Sequence, residues 1–84
     1  MHIRYHPQFE KSYKKLSPEI QRKSEKREIL FRKNLFDPRL QTHKLHGKLK
    51  HLWSFSVDRK YRVVFEFMDS EIMLLDIGDH KIYK

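Results

Sequence analysis

With 84 residues, 38% hydrophobic and 13% aromatic, the chain can build one small core, which excludes both a multidomain protein and a disordered tail. Nineteen lysines and arginines against eleven acids leave a net charge of +8, a field that attracts polyanions and points to RNA or DNA. Cysteine is absent, so disulfides and thiolate metal sites are excluded, and no apolar run approaches the roughly 20 residues of a membrane span.

Residues 1–5 alternate weakly and predict a short first strand. No apolar signal segment follows Met1, so the chain is expected in the cytoplasm. His6-Pro7 predicts a helix start, because proline suits the first helical position. Phe9, Tyr13 and Leu16 fall at helical spacing and give that helix one buried stripe. Ser17-Pro18-Glu19 predicts a second start, with Ser17 as N-cap and Glu19 favouring the helix dipole. The second helix carries Ile20, Leu30, Phe31 and Leu35 and is expected to run to Asp37-Pro38. Its all-polar middle, Gln21 to Glu28, predicts exposed turns projecting from the core.

Helices in succession and then strands predict an α+β fold. In the strand Leu52 to Val57, Trp53, Phe55 and Val57 share one face, with Ser54 and Ser56 on the other. In the strand Tyr61 to Phe67, the odd residues share a face and Arg62, Val64 and Glu66 lie opposite. Cross-strand partners share a face, so Val57 should pair with Tyr61 or Val63 through a loop within Asp58 to Tyr61. Asp69-Ser70 makes the next turn, and Glu71 to Ile77 returns as a strand apolar on both faces, expected to be central. Ser54, Ser56 and Arg62 then share the face away from the helices, beside Val64, Met73 and Leu75. A small domain rarely leaves such a part-apolar strip bare, so a partner is expected to cover it.

Arg62 admits two readings: a surface arginine paired to Glu66 or Asp76, or a half-buried fork aimed at a phosphate. His80 follows Gly78-Asp79 at the end of the last strand, where loops carry function. His43 and His46 lie in the connector before the sheet; no carboxylate or cysteine nearby completes a ligand set, so no metal is expected. His2, His6 and His51 read as surface or capping residues. Taken together, the parts meet the needs of RNA cleavage. The 2′-hydroxyl is a built-in nucleophile, so no cofactor is required. A base removes its proton, an acid protonates the leaving oxygen, and a cation stabilises the phosphorane. His43, His46 and His80 supply the proton carriers and Arg62 the cation. Tyr61 or Tyr83 would stack on a base. Lys44, Lys48 and Lys50 would form a basic rail.

The ordered set His6-Pro-x-Phe9, His43-Lys-Leu-His-Gly47, Trp53-Ser-Phe-Ser-Val57, Tyr61-Arg-Val-Val-Phe65 and Ile77-Gly-Asp-His80 with Tyr83 resembles the RelE/ParE superfamily of type II toxin–antitoxin toxins. The resemblance is nearest to its RelE/YafQ-like mRNA interferases. It implies a microbial-RNase-like domain over residues 1–84, two N-terminal helices packed on a twisted, mostly antiparallel four-stranded sheet. It also implies cleavage of mRNA, ribosome-dependent, with no cofactor, and neutralisation by a cognate antitoxin. By resemblance His43 matches the connector histidine and His80 the C-terminal catalytic histidine of YafQ-like members. Arg62 matches a phosphate-binding arginine of RelE-like members, and Tyr83 the terminal aromatic that meets the substrate base. Ser56 and Lys60 stand where YafQ-like toxins have a further histidine and an aspartate. The alternative is a ParE-like toxin, which shares the fold and poisons DNA gyrase by binding, without cleaving RNA.

Overall fold

In the computed structural model residues 2–83 are described, Tyr83 by its backbone alone. Strand β1 (His2–Tyr5) leads into helices α1 (Pro7–Lys14) and α2 (Pro18–Lys33). Strands β2 (His43–Lys44), β3 (Trp53–Ser56), β4 (Arg62–Met68) and β5 (Glu71–Gly78) follow, and a 3₁₀ turn (His80–Tyr83) holds the last of the described residues. Both helix starts are where the caps put them. His6 Nδ1 accepts from the Gln8 amide at 3.0 Å, and Ser17 Oγ from the Ile20 amide at 3.3 Å.

The five strands form one sheet in the order β1-β5-β4-β3-β2, one more than the four expected. The extra strand is β2, two residues of the supposed connector, paired antiparallel with β3. β1 runs parallel to β5 on the other edge. Every other pairing is antiparallel, so the predicted α+β class holds. Val57 opposes Tyr61, with its amide donating to the Tyr61 carbonyl at 2.9 Å, one of the two registers that face parity allows. Asp69, with φ of 51°, makes the left-handed step of the β4–β5 turn. β5 is interior rather than central, lying between β1 and β4.

Both helices pack on one face of the sheet. Phe9 of α1 and Phe31 of α2 join Phe55, Val63, Phe65, Ile72, Leu74 and Ile77 in a single core. Phe31 stacks on Phe55 at 4.5 Å and meets Phe65 edge-on at 5.0 Å. Ile72, Leu74 and Ile77 face the same core despite their mixed parity. The register explains it: Phe65 pairs with Leu74 but Val64 with Asp76, so Leu75 is an extra residue in a bulge.

Two expectations for α2 are corrected. The helix stops at Lys33, where Asn34 turns extended, rather than continuing to Asp37. Its polar middle is exposed at Arg22, Lys23, Glu25 and Lys26, as expected, but does not project: Ser24 is buried, and Gln21, Arg27 and Glu28 are half-buried. Hydrogen bonds do there what apolar contact does elsewhere. Gln21 donates to the Tyr13 carbonyl, Arg27 to the Arg39 carbonyl, and Glu28 accepts from the Tyr5 hydroxyl.

Candidate active site

The sheet face away from the helices is laid out by the strand register. His43, Ser54 and Val64 form one cross-strand row, which Asp76 continues in register although its side chain turns to α1, and Ser56, Arg62 and Gly78 form the next. From strand spacing and rise, the His43 and Arg62 Cα atoms are roughly 12 Å apart on this face.

Arg62 is half-buried and held by its Nη1, which donates to Ser56 Oγ at 2.6 Å and to the Asp58 carbonyl at 3.0 Å. Ser56 Oγ in turn donates to the same carbonyl at 2.9 Å. No carboxylate pairs with Arg62 among the described residues, so the surface ion-pair reading fails. Asp76, one candidate partner, instead accepts from Ser12 Oγ of α1 at 2.6 Å. Nε and Nη2 of Arg62 make no hydrogen bond among the described residues, which leaves its other edge available.

Asp58 shapes the β3–β4 loop. Its Oδ1 accepts from the Lys60 and Tyr61 amides at 2.9 and 2.8 Å. Burial pushes its pKa up, but those amides and the Lys23 ammonium outweigh burial and hold the carboxyl below its usual range. The C-terminal turn lies alongside. The Lys81 amide donates to Asp79 Oδ1 at 3.0 Å and lowers the Asp79 pKa, with the charges of His80, Lys81 and Lys60 acting the same way. Gly78, directly opposite Arg62, lets this turn fold back: a Cβ there would lie 2.5 Å from Ile82 Cγ2.

The face is less bare than expected. Ser54, Ser56 and Val64 are 0%, 7% and 5% exposed, so the predicted apolar strip reduces to the half-buried Met73 and Leu75. His43 is exposed, with Nδ1 at 2.9 Å from the Gln41 carbonyl, and stands on the β2 edge rather than in a connector. His46 precedes the 3₁₀ turn Gly47–Leu49, and its side chain caps nothing. His80 is exposed at the start of the C-terminal turn.

Other predicted site residues fall elsewhere. Lys44 pairs with Trp53 and therefore faces the helix side, away from Arg62. Tyr61 packs against the core on that side, under the Lys60 ammonium at 5.6 Å, which leaves it no free ring for a base on the Arg62 face. Lys48 and Lys50 are exposed in and beside the 3₁₀ turn Gly47–Leu49. The Tyr83 side chain lies outside the described residues. Among those described, no three His, Asp or Glu side chains gather as a metal set, and no helix is long and apolar enough to cross a membrane. Sequence reasoning missed Asp58 and Gly78, although an aspartate opening a hairpin loop and a glycine ending a strand are both recognisable signals.

Several solved structures share this fold. YafQ from E. coli strain BL21(DE3) superposes with a TM-score of 0.80 at 18% identity, covering 96% of this chain and 94% of that one. A copper-bound mutant toxin from Helicobacter pylori gives 0.74 at 22% identity, over 100% and 99% of the two chains. YafQ in the E. coli DinJ–YafQ toxin–antitoxin complex gives 0.76 at 19%, over 95% and 92%. No curated protein sequence matches the chain. The family model described as the YafQ bacterial toxin of type II toxin–antitoxin systems matches residues 1–83. The chain belongs to the YafQ family of type II toxins.

Proposed function

We propose that this toxin is an mRNA endoribonuclease that blocks translation, acting on the ribosome and silenced by a cognate antitoxin. The observation that carries the reading is the Arg62 fork. One edge is fixed to Ser56 and the Asp58 carbonyl and the other is free, at the end of the sheet where the His80 turn folds back. A guanidinium with a free edge grips a phosphate through paired N–H donors, and strongest when the phosphorane carries its extra charge. His80 is the acid that protonates the leaving oxygen. His43, on the same face, is a candidate base; His46, off the sheet, is a weaker one. The 2′-hydroxyl supplies the nucleophile, so the step closes to a 2′,3′-cyclic phosphate without a metal. The exposed Lys48 and Lys50 add attraction for the RNA backbone. The DinJ–YafQ complex supports an antitoxin as the partner that holds the toxin inactive.

Primer extension on mRNA after induction tests the reading. New 5′ ends are expected within minutes of induction, before DNA replication slows. Replication arrest first, with intact transcripts, would replace this reading by a gyrase poison.

The fold-back of the C-terminal turn gives a second expected result. Gly78→Ala puts a methyl 2.5 Å from Ile82 Cγ2, so the Ile82 side chain must give way, and the expected result is that the turn carrying His80 moves with it. Misplacement by about 1 Å can cost on the order of 10²-fold in rate. Cleavage by Gly78→Ala should fall by that order, with amide NMR changes centred on residues 79–83. Parental cleavage would show that the turn's position is immaterial.

A further inference from the structure

We infer that Ser56 and the Asp58 carbonyl are positioning groups that turn the Nε–Nη2 edge of Arg62 toward the scissile phosphate. This rests on the reading of Arg62 as the phosphate-binding cation. The geometry is a closed triangle. Arg62 Nη1 donates to Ser56 Oγ at 2.6 Å and to the Asp58 carbonyl at 3.0 Å, and Ser56 donates to that carbonyl at 2.9 Å. The hydroxyl therefore acts as acceptor and donor at once, which a buried serine at 7% exposure can do without water.

The Asp58 carbonyl is held to this task by its own side chain, which ties the amides of Lys60 and Tyr61 and so sets the loop. Both acceptors engage one nitrogen and both are neutral. An acid at either position would neutralise the guanidinium; here the charge is kept whole while the side chain loses its freedom. A free arginine must lose rotamer entropy each time it grips a phosphate, and here folding has already taken that loss. Ser56 itself holds no proton to trade near neutral pH, so it is not a base. It acts through Arg62 alone.

The test uses the intact toxin and has two arms. In the first, ¹⁵N NMR of the Arg62 guanidinium reads the clamp directly. Rotation about Cζ–Nη1 should be slow in the parental chain and fast in Ser56→Ala. A short single-stranded deoxyoligonucleotide, which cannot be cleaved, should shift the Nε–H signal less in that variant. In the second, single-turnover cleavage by Ser56→Ala should drop roughly 10- to 100-fold, the scale of a hydrogen bond to a charged group, with affinity little changed. Ser56→Thr, which keeps the hydroxyl, should restore most of the rate.

In the Arg62→Ala background, adding Ser56→Ala should change nothing further. An equal drop in both backgrounds would show that Ser56 acts independently of Arg62 and overturn the clamp, as would identical guanidinium dynamics in parent and variant. If the parental chain cleaves no RNA, the endoribonuclease reading falls. The NMR arm still decides the clamp and whether its free edge meets a phosphate.

Discussion

Arg62→Ala is expected to abolish growth arrest while leaving the protein folded, with cleavage reduced by about 10²–10³-fold or more. The scale follows from removing preorganised donors aimed at a developing oxyanion. The fold should survive because Arg62 adds nothing to the core: it faces away from Phe31, Phe55 and Phe65. Its loss costs the Nη1 bonds, yet Ser56 keeps its bond to the Asp58 carbonyl, so no buried hydroxyl is orphaned. A stability loss of about 1 kcal/mol is the expected ceiling for that exchange. Arg62→Lys keeps the charge but not the planar fork, and should recover only part of the rate. The measurements are growth after induction and thermal unfolding of the purified variant. A folded Arg62→Ala toxin that arrests growth at the parental rate would put the phosphate site elsewhere.

How far this site could be read from the sequence depends on which signals are local. The caps at His6 and Ser17 are local and chemical, so both helix starts were legible, and alternation in residues 53–67 fixed which faces meet. That parity also put Tyr61 with Val63 and Phe65 on the core side, which already argued against its stacking on a base beside Arg62. The two-residue β2 was illegible because its pairing with β3, and no propensity of its own, makes it a strand. The bulge at Leu75 reverses parity midway along β5, so alternation alone misplaces half of that strand. The clamp on Arg62 was hidden for another reason. A serine alternating with aromatics reads as a solvent-side residue, and only the loop closed by Asp58 brings a carbonyl to meet it.

His80→Gln is expected to slow cleavage by about 10²–10⁴-fold with little change in RNA binding, because a general acid contributes only as the leaving oxygen takes its proton. Gln keeps much of the size and the polarity, and His80 is exposed, so the turn should tolerate it. The neighbouring carboxylate does not rescue the variant. Asp79 Oδ1 is engaged by the Lys81 amide, and its carbonyl accepts from the Ile82 amide at 3.1 Å, so Asp79 braces the turn's backbone. That bracing is why the substitution should read as chemistry. The turn stays where Gly78 admits it, Arg62 stays clamped, and only the proton donor is gone. Single-turnover cleavage of programmed ribosomes by purified His80→Gln, beside an affinity measurement on the same sample, separates the two effects. An unchanged rate would leave His43, which the register sets on this face, or His46 as the remaining proton carrier. A rate that falls only in step with affinity would make His80 a binding residue.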